Sequence, residues 1–372
     1  NNPDEFSIKH KGNEGNRKIS KAHENKILKE LKSEQQLIKN KNNPIRFYNY
    51  SAIQDILNDE HGIVVSLPTV INRAKENGYY IGKPKKKIHD REVLTNLVGE
   101  LLQHDSSHHQ WSPFMDEKLY LITTIDDYSR LILYAEFVRK ENLWAHILAL
   151  KSVFLTYGCP FKYYADQHSI SRFVKDRDKI RPWYDYSMFT DDISPQWKQV
   201  LEECKVNLTY ALSPQAKGKI ERPYRWLQDR IVRTAIRQKT KTAMGLRTIL
   251  QELVRKYNSE WVHSTTKEIP MIRFEKAVKN NNSLFTTFKI EGSDKTIDDV
   301  FCIRTKRVVD SYRKISLNGL ELKVPNGRPK HSVDLKMVPN EKSGNVKIRF
   351  WQDNIFLGEQ MEKLEKLPIV RF

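Results

Sequence analysis

The stretch Ser213-Pro214-Gln215-Ala216-Lys217-Gly218-Lys219-Ile220-Glu221-Arg222-Pro223 constrains this chain more than any other. Proline lacks the amide proton that a helix interior uses, so a helix containing Pro223 must hold it among its first unpaired amides. That fixes the helix start close to Glu221, just after a glycine turn. Downstream, Tyr224, Leu227 and Ile231 continue a buried stripe begun by Ile220, which leaves Arg222, Arg225 and Arg233 to other faces. From Gln215 to Lys241 nine Lys or Arg accompany two acids, one of them Glu221. A lone carboxylate in a positive field is an odd structural device and a sensible metal ligand beside phosphates.

The whole chain shares that bias, with a formal charge of +18 over 372 residues. Such a balance favours a polyanionic partner, nucleic acid ahead of an anionic membrane. The basic residues lie on a helix with a buried stripe rather than on a free amphipathic segment, which argues against a membrane role. No run approaches eighteen apolar residues and no signal segment opens the chain, so neither a spanning nor an exported protein is expected. Cys159, Cys204 and Cys302 lack C-x-x-C spacing and read as reduced thiols of a cytoplasmic protein. The chain opens Asn1-Asn2-Pro3 without Met, so a preceding segment is expected.

The length predicts several domains. Residues 1–19 read as a basic arm, followed at 20–82 by three helices. Ser20 caps the first, Gly62 stops the second, and Ser66 caps a third with Pro68 in its first turn. Helix, glycine turn and capped helix make a helix-turn-helix pattern, although three-helix units also serve as plain scaffolds. On the third helix Thr69, Asn72, Arg73 and Lys75 face outward with the chemistry to reach base edges and phosphates. Residues 83–92 form a linker whose Lys85 and Lys86 would track a phosphate backbone or remain solvated. Residues 93–280 carry the core. Its strands are expected at Leu101–Asp105, Leu119–Ile125 and Leu131–Phe137, then at Phe161–Ala165 and Asn207–Leu212, with helices between and after them. Residues 281–299 form a second linker. Residues 300–372 hold short strands, among them a hairpin turning at Asn318-Gly319, and are expected to close into a small β-barrel.

Three carboxylates stand at element ends: Asp105 near the end of the first strand, Asp166 after the fourth, and Glu221 at the head of the basic helix. Converging carboxylates repel one another unless divalent cations neutralise them. Oxygen donors select hard ions, here two Mg²⁺ or Mn²⁺ about 3.5–4 Å apart, the arrangement that clamps both oxygens of an in-line phosphoryl displacement. Other acids carry less weight. Asp126 and Asp127 read as closing a hairpin, and Asp191 and Asp192 as loop or cap acids. His104, His108 and His109 lack cysteine partners and alternate in direction along a strand, which disfavours zinc. His168 reads as a loop hydrogen-bonding group and Trp226 as packing.

Asp105, Asp166 and Glu221, on this order of strands and helices, resemble the D-D-E triad of the retroviral-integrase superfamily. More closely, His104-Asp105-Ser106-Ser107-His108-His109, Tyr120-Leu121-Ile122-Thr123-Thr124-Ile125-Asp126-Asp127-Tyr128-Ser129-Arg130 and Ser213 to Arg222 are similar to insertion-sequence transposases of the ISNCY type, over roughly residues 45–325. The resemblance implies a multidomain α+β chain. Its parts would be an N-terminal helix-turn-helix, a ribonuclease-H-like α/β/α integrase core with a mixed five-stranded sheet, and a Src-homology-3-like barrel. It implies that Asp105, Asp166 and Glu221 hold the metals, first directing water at a phosphodiester to free a 3′-OH and then directing that 3′-OH at a target strand. Lys217, Lys219 and Arg225 would then meet phosphates beside the scissile bond, with Gln215 and Ser213 orienting the terminal nucleotides. The implied partners are double-stranded DNA, as terminal repeats and target, and further copies of the chain in a synaptic complex on a prokaryotic nucleoid. Relatives usually carry a further helix-turn-helix ahead of this point. Two other readings stay open: a DNA-binding remnant or regulator without activity, and a nuclease of the same fold that cuts without joining.

Overall fold

Local capping chemistry sets the first helices in the computed structural model, which describes residues 19–82, 95–165, 193–210, 218–317 and 319–367, without the side chains of 165, 193–195, 210 and 218–223. Helix α1 is Lys21–Lys39, α2 Tyr50–His61 and α3 Leu67–Glu76. Ser20, Asn49 and Ser66 each accept an amide proton from the first turn, and Gly62 ends α2 in the left-handed region at φ +63°. Ile27, Leu31, Ile53, Leu57, Val70 and Ala74 form the common core of the three helices. The chain divides into two compact units, and the first comprises residues 1–90, 112–114 and 232–239.

The second unit, residues 91–111, 115–231 and 240–372, is built on a five-stranded sheet. Its strands are β1 Leu102–His109, β2 Leu119–Asp126, β3 Ile132–Val138, β4 Lys162–Ala165 and β5 Asn207–Tyr210. Their order is β3-β2-β1-β4-β5. The first three strands pair antiparallel, whereas β4 runs parallel to both β1 and β5. The expected mixed five-stranded sheet is present. The first strand differs from the sequence expectation: it runs to His109, so Asp105 lies inside it. Ser106 to His109 continue the ladder with Leu119 to Ile122, whereas the parallel ladder with β4 stops at His104 opposite Ala165. Asp105 is therefore the first residue of β1 past its parallel partner.

Helix α4, Leu143–Tyr157, packs on β2 and β3 and is apolar on almost every side, with Ile147, Leu150, Val153 and Phe154 buried. Gly158 ends it at φ +97°, and a side chain there would strike the carbonyl of Thr286. Helices α5 Ile193–Glu203, α6 Gly218–Arg237 and α7 Ala243–Ser259 follow, and then α8 Pro270–Lys279 and the short α9 Ile297–Val300. Asn258 of α7 binds both the amide and the carbonyl of Ile132, at 3.0 and 2.9 Å, fixing that helix against β3.

The C-terminal strands depart from the expected barrel. Strands β6 Ile303–Val308, β9 Ser332–Asn340, β10 Asn345–Gln352 and β11 Ile355–Lys363 form an open antiparallel sheet in the order β11-β10-β9-β6. Strands β7 Lys314–Leu317 and β8 Leu320–Lys323 form a separate hairpin. Apolar alternation shows which face of a strand is buried, but closure depends on which edges pair, and here the two sets are joined by packing rather than by a ladder. Fully buried Asp299 ties α9 to this sheet, accepting from Arg349 Nε at 3.0 Å and Trp351 Nε1 at 2.7 Å.

Candidate active site

Asp105 lines a polar cleft of about 260 Å³ in the second unit together with Ser106, Ser107, Tyr224, Arg225 and Gln228. Strand periodicity sets its walls. Residues 103, 105 and 107 share one face of β1, and residues 104, 106 and 108 share the other. On the first face Gln228 donates to the Ser107 hydroxyl at 2.6 Å, and the Tyr224 hydroxyl donates to the carbonyl of Asp105. Tyr224 and Gln228 are four residues apart, on one face of α6. Burial first, and then the charge of Asp105, hold the Tyr224 phenol well above its ordinary pKa, so it stays protonated and donates. One face of α6 is thereby registered on the strand segment that carries Asp105. Glu221 occupies the same helix, three residues before Tyr224 and seven before Gln228.

Asp166, Gln215, Lys217, Lys85 and Lys86, together with Ser213, His168, Asp191 and Asp192, lie outside the described residues. Lys219 and Glu221 lie in α6, their side chains undescribed. Arg225 is exposed at the cleft rim. Among the described residues no group of three or more His, Cys, Asp or Glu side chains is placed to hold a metal ion. The donors the cleft does offer are oxygens, the class that hard divalent cations take.

The neighbouring acids are spent on the fold. Asp126 is fully buried and accepts from the amides of Gly99 and Ser129 at 2.8 and 2.7 Å and from the Ser129 hydroxyl at 2.6 Å. Asp127 is held by Gln103, by Arg130 at 2.9 Å and by Thr95 at 2.8 Å. The histidines diverge: His104 turns into the core, His108 stacks on Tyr120 and His109 meets Trp111 edge-on. Trp226 packs on Trp261 and Tyr257.

In the first unit the residues expected on the third helix differ among themselves. Asn72 and Lys75 are exposed, and Thr69 shares a 2.9 Å hydrogen bond with the capping Ser66. Arg73 is instead drawn into ion pairs with Glu24 at 3.1 Å and Glu76 at 2.7 Å. The end of α6 also departs from expectation. Arg233 is buried against Glu34, and Arg237 pairs with Glu30 at 2.9 Å and Glu60 at 2.5 Å. Sequence reasoning passed over those acids, and the available signal was the Glu30, Glu34 pair one turn apart on the first helix.

In sequence the chain is similar to transposases. It is 29% identical over 173 residues to a putative transposase, y4bF, of Sinorhizobium fredii (strain NBRC 101917 / NGR234), and 28% identical over 180 residues to the transposase for insertion sequence IS1202 of Streptococcus pneumoniae. These matches take in 46% and 48% of this chain and 36% and 37% of the relatives, so the chain spans about a third of the curated relatives it matches. No family profile matches it. Among solved structures, the catalytic core domain of HTLV-2 integrase in complex with magnesium, in its trimeric form, covers 50% of this chain and 99% of its own length at 12% identity and a TM-score of 0.35. The simian T-cell lymphotropic virus intasome with PP2A regulatory subunit B56 gamma covers 83% and 92% at 12% identity and a TM-score of 0.39. At such scores the likenesses are too distant to add to the strand order or the sequence matches. No helix among the described residues is long and apolar enough to cross a membrane.

Proposed function

We propose that this chain is a DNA transposase of the integrase type, cutting DNA at the ends of an insertion sequence and joining the freed 3′-OH to a target strand. The observation that carries the reading is the registration of α6 on β1 by Tyr224 and Gln228, which brings the helix bearing Glu221 to the strand bearing Asp105. Asp166 completes the triad by connectivity. Ala165 is the register partner of His104, and each is followed directly by an acid. Asp105, Asp166 and Glu221 would hold two Mg²⁺ or Mn²⁺ ions, which when bound supply the positive charge that this class of displacement uses. The chain's own residues orient the DNA. Arg225, with Lys217 and Lys219, neutralises phosphates at the cleft, while Gln215 orients the terminal nucleotides. In the first step a water oxygen bonds to phosphorus and the bond to the 3′ oxygen breaks, leaving a 3′-OH. In the second that hydroxyl attacks a target phosphodiester, with loss of its proton and of the target's own 3′ oxygen.

In this reading the first unit is a helix-turn-helix that meets terminal repeats through Thr69, Asn72 and Lys75, with Arg73 released to DNA only by giving up its two ion pairs. Lys85 and Lys86 follow the backbone beyond it, and synapsis of two ends requires more than one copy of the chain. The test is cleavage of labelled duplexes carrying the DNA that flanks the coding region, in Mg²⁺, in Mn²⁺ and in chelator. Metal-dependent 3′-end cleavage that Glu221→Gln abolishes supports the proposal. Binding without cleavage, the same in both proteins, leaves a DNA-binding remnant, and cleavage without joined products leaves a nuclease.

A further inference from the structure

Next to Asp105, on the other face of β1, a polar chain that the proposed chemistry does not use runs from Ser106 into the interior. The Ser106 hydroxyl donates to Glu141 Oε1, and the Glu141 side chain is only 6% exposed. His146 Nε2 stands 3.5 Å from the same oxygen. His146 Nδ1 lies 2.8 Å from His104 Nε2, and His104 Nδ1 lies 2.9 Å from the Thr124 hydroxyl. Tyr163 and Trp197 enclose His104.

A carboxyl so deeply buried is costly, and helix capping does not explain it. Asn142 already caps α4, accepting the Ala145 amide at 2.8 Å. What Glu141 does reach is the residue that follows Asp105. The Asp105–Ser106 segment is thus gripped from both faces of the sheet, by Tyr224 on the carbonyl of Asp105 and by Glu141 on the hydroxyl of Ser106.

We propose that Glu141 is a positioning residue for Asp105: braced by His146 and His104, it locks the Asp105–Ser106 segment so that the Asp105 carboxylate meets a divalent cation in a fixed orientation. This rests on the reading of Asp105 as a metal-holding residue. Groups that orient a metal ligand commonly change affinity 10–100-fold when removed.

The test is Mn²⁺ binding to the full chain without DNA, read from the paramagnetic resonance of the free ion, with thermal unfolding alongside. Binding that Asp105→Asn weakens establishes the site. Glu141→Ala is then expected to weaken binding by about 10–100-fold. Glu141→Gln stays within about threefold of the unsubstituted chain, because its amide oxygen still accepts the Ser106 hydroxyl. Asp105-dependent binding that ignores Glu141→Ala overturns the inference alone. Equal losses in Glu141→Ala and Glu141→Gln overturn it too, because they would make Glu141 a ligand. Binding indifferent to Asp105→Asn removes the site and the inference together. Should Glu141→Ala fail to fold, Ser106→Ala decides: about a three- to tenfold loss supports the inference, and unchanged binding overturns it.

Discussion

The two halves of α6 have nearly the same basic character in sequence and are used in opposite ways. In the half that belongs to the second unit, Tyr224 and Gln228 hold the helix on β1 and Arg225 stays exposed at a polar cleft. In the half that belongs to the first unit, Arg233 and Arg237 are engaged by Glu34, Glu30 and Glu60. The difference lies in the surroundings. A guanidinium at an exposed cleft rim faces the solvent from which phosphates approach, and one held against buried carboxylates keeps the fold together. A count of lysines and arginines along the helix therefore overstates its surface for DNA.

Substitutions can break or sharpen that contrast. The largest effect belongs to the cleft. Asp105→Asn is expected to lower metal-dependent cleavage by at least about 10³-fold, the equivalent of several kcal/mol of transition-state stabilisation, with the unfolding midpoint nearly unchanged. Next comes the first unit, where Arg233→Ala strands Glu34 in the interior. Urea unfolding should show a loss of about 3–5 kcal/mol, and an unchanged midpoint would remove the structural role given to this pair. A smaller effect separates the halves directly. Arg225→Ala should reduce the salt slope of DNA binding by about one, while Arg237→Ala leaves that slope unchanged.

The smallest effect is on pH. At Glu30 burial alone would raise the pKa, but the His61 hydrogen bond and the Arg237 charge outweigh it and lower it. Between the folded and the unfolded pKa the unfolded chain binds more protons, so this group stabilises the fold above the ordinary carboxylate range. That contribution disappears as pH falls through the lowered folded value. Thermal midpoints of Glu30→Gln between pH 7 and 3 should therefore decline less steeply on the acid side than those of the unsubstituted chain.

Much of this fold is written in local chemistry. Ser20, Ser66 and Gly62 punctuate the first helices where capping rules put them, whereas α6 starts at Gly218, earlier than Pro223 led one to expect, and carries that proline as its sixth residue. The hairpin at Asp126-Asp127 was legible as a turn for the same reason. What the sequence hid depends on partners far along the chain. The strand carrying Asp105 runs on because β2 offers a longer partner than β4 does. The C-terminal strands stay open because edge pairing is a tertiary choice. Glu141 looks like an ordinary acid before a helix until Ser106, 35 residues earlier, is found against it. At the site, Tyr224 was readable as part of a buried stripe of the basic helix, whereas the strand segment it meets, and the part Gln228 plays there, were not.

The most direct measurement is single-turnover strand joining in Mg²⁺ by the unsubstituted chain, Asp105→Asn, Glu221→Gln and the double variant, with terminal-repeat duplexes as donor. If the two carboxylates serve one site, each single variant loses joining and the double variant is no worse than either. Joined products from Glu221→Gln at the unsubstituted rate, or losses that multiply in the double variant, would contradict a site shared by β1 and α6.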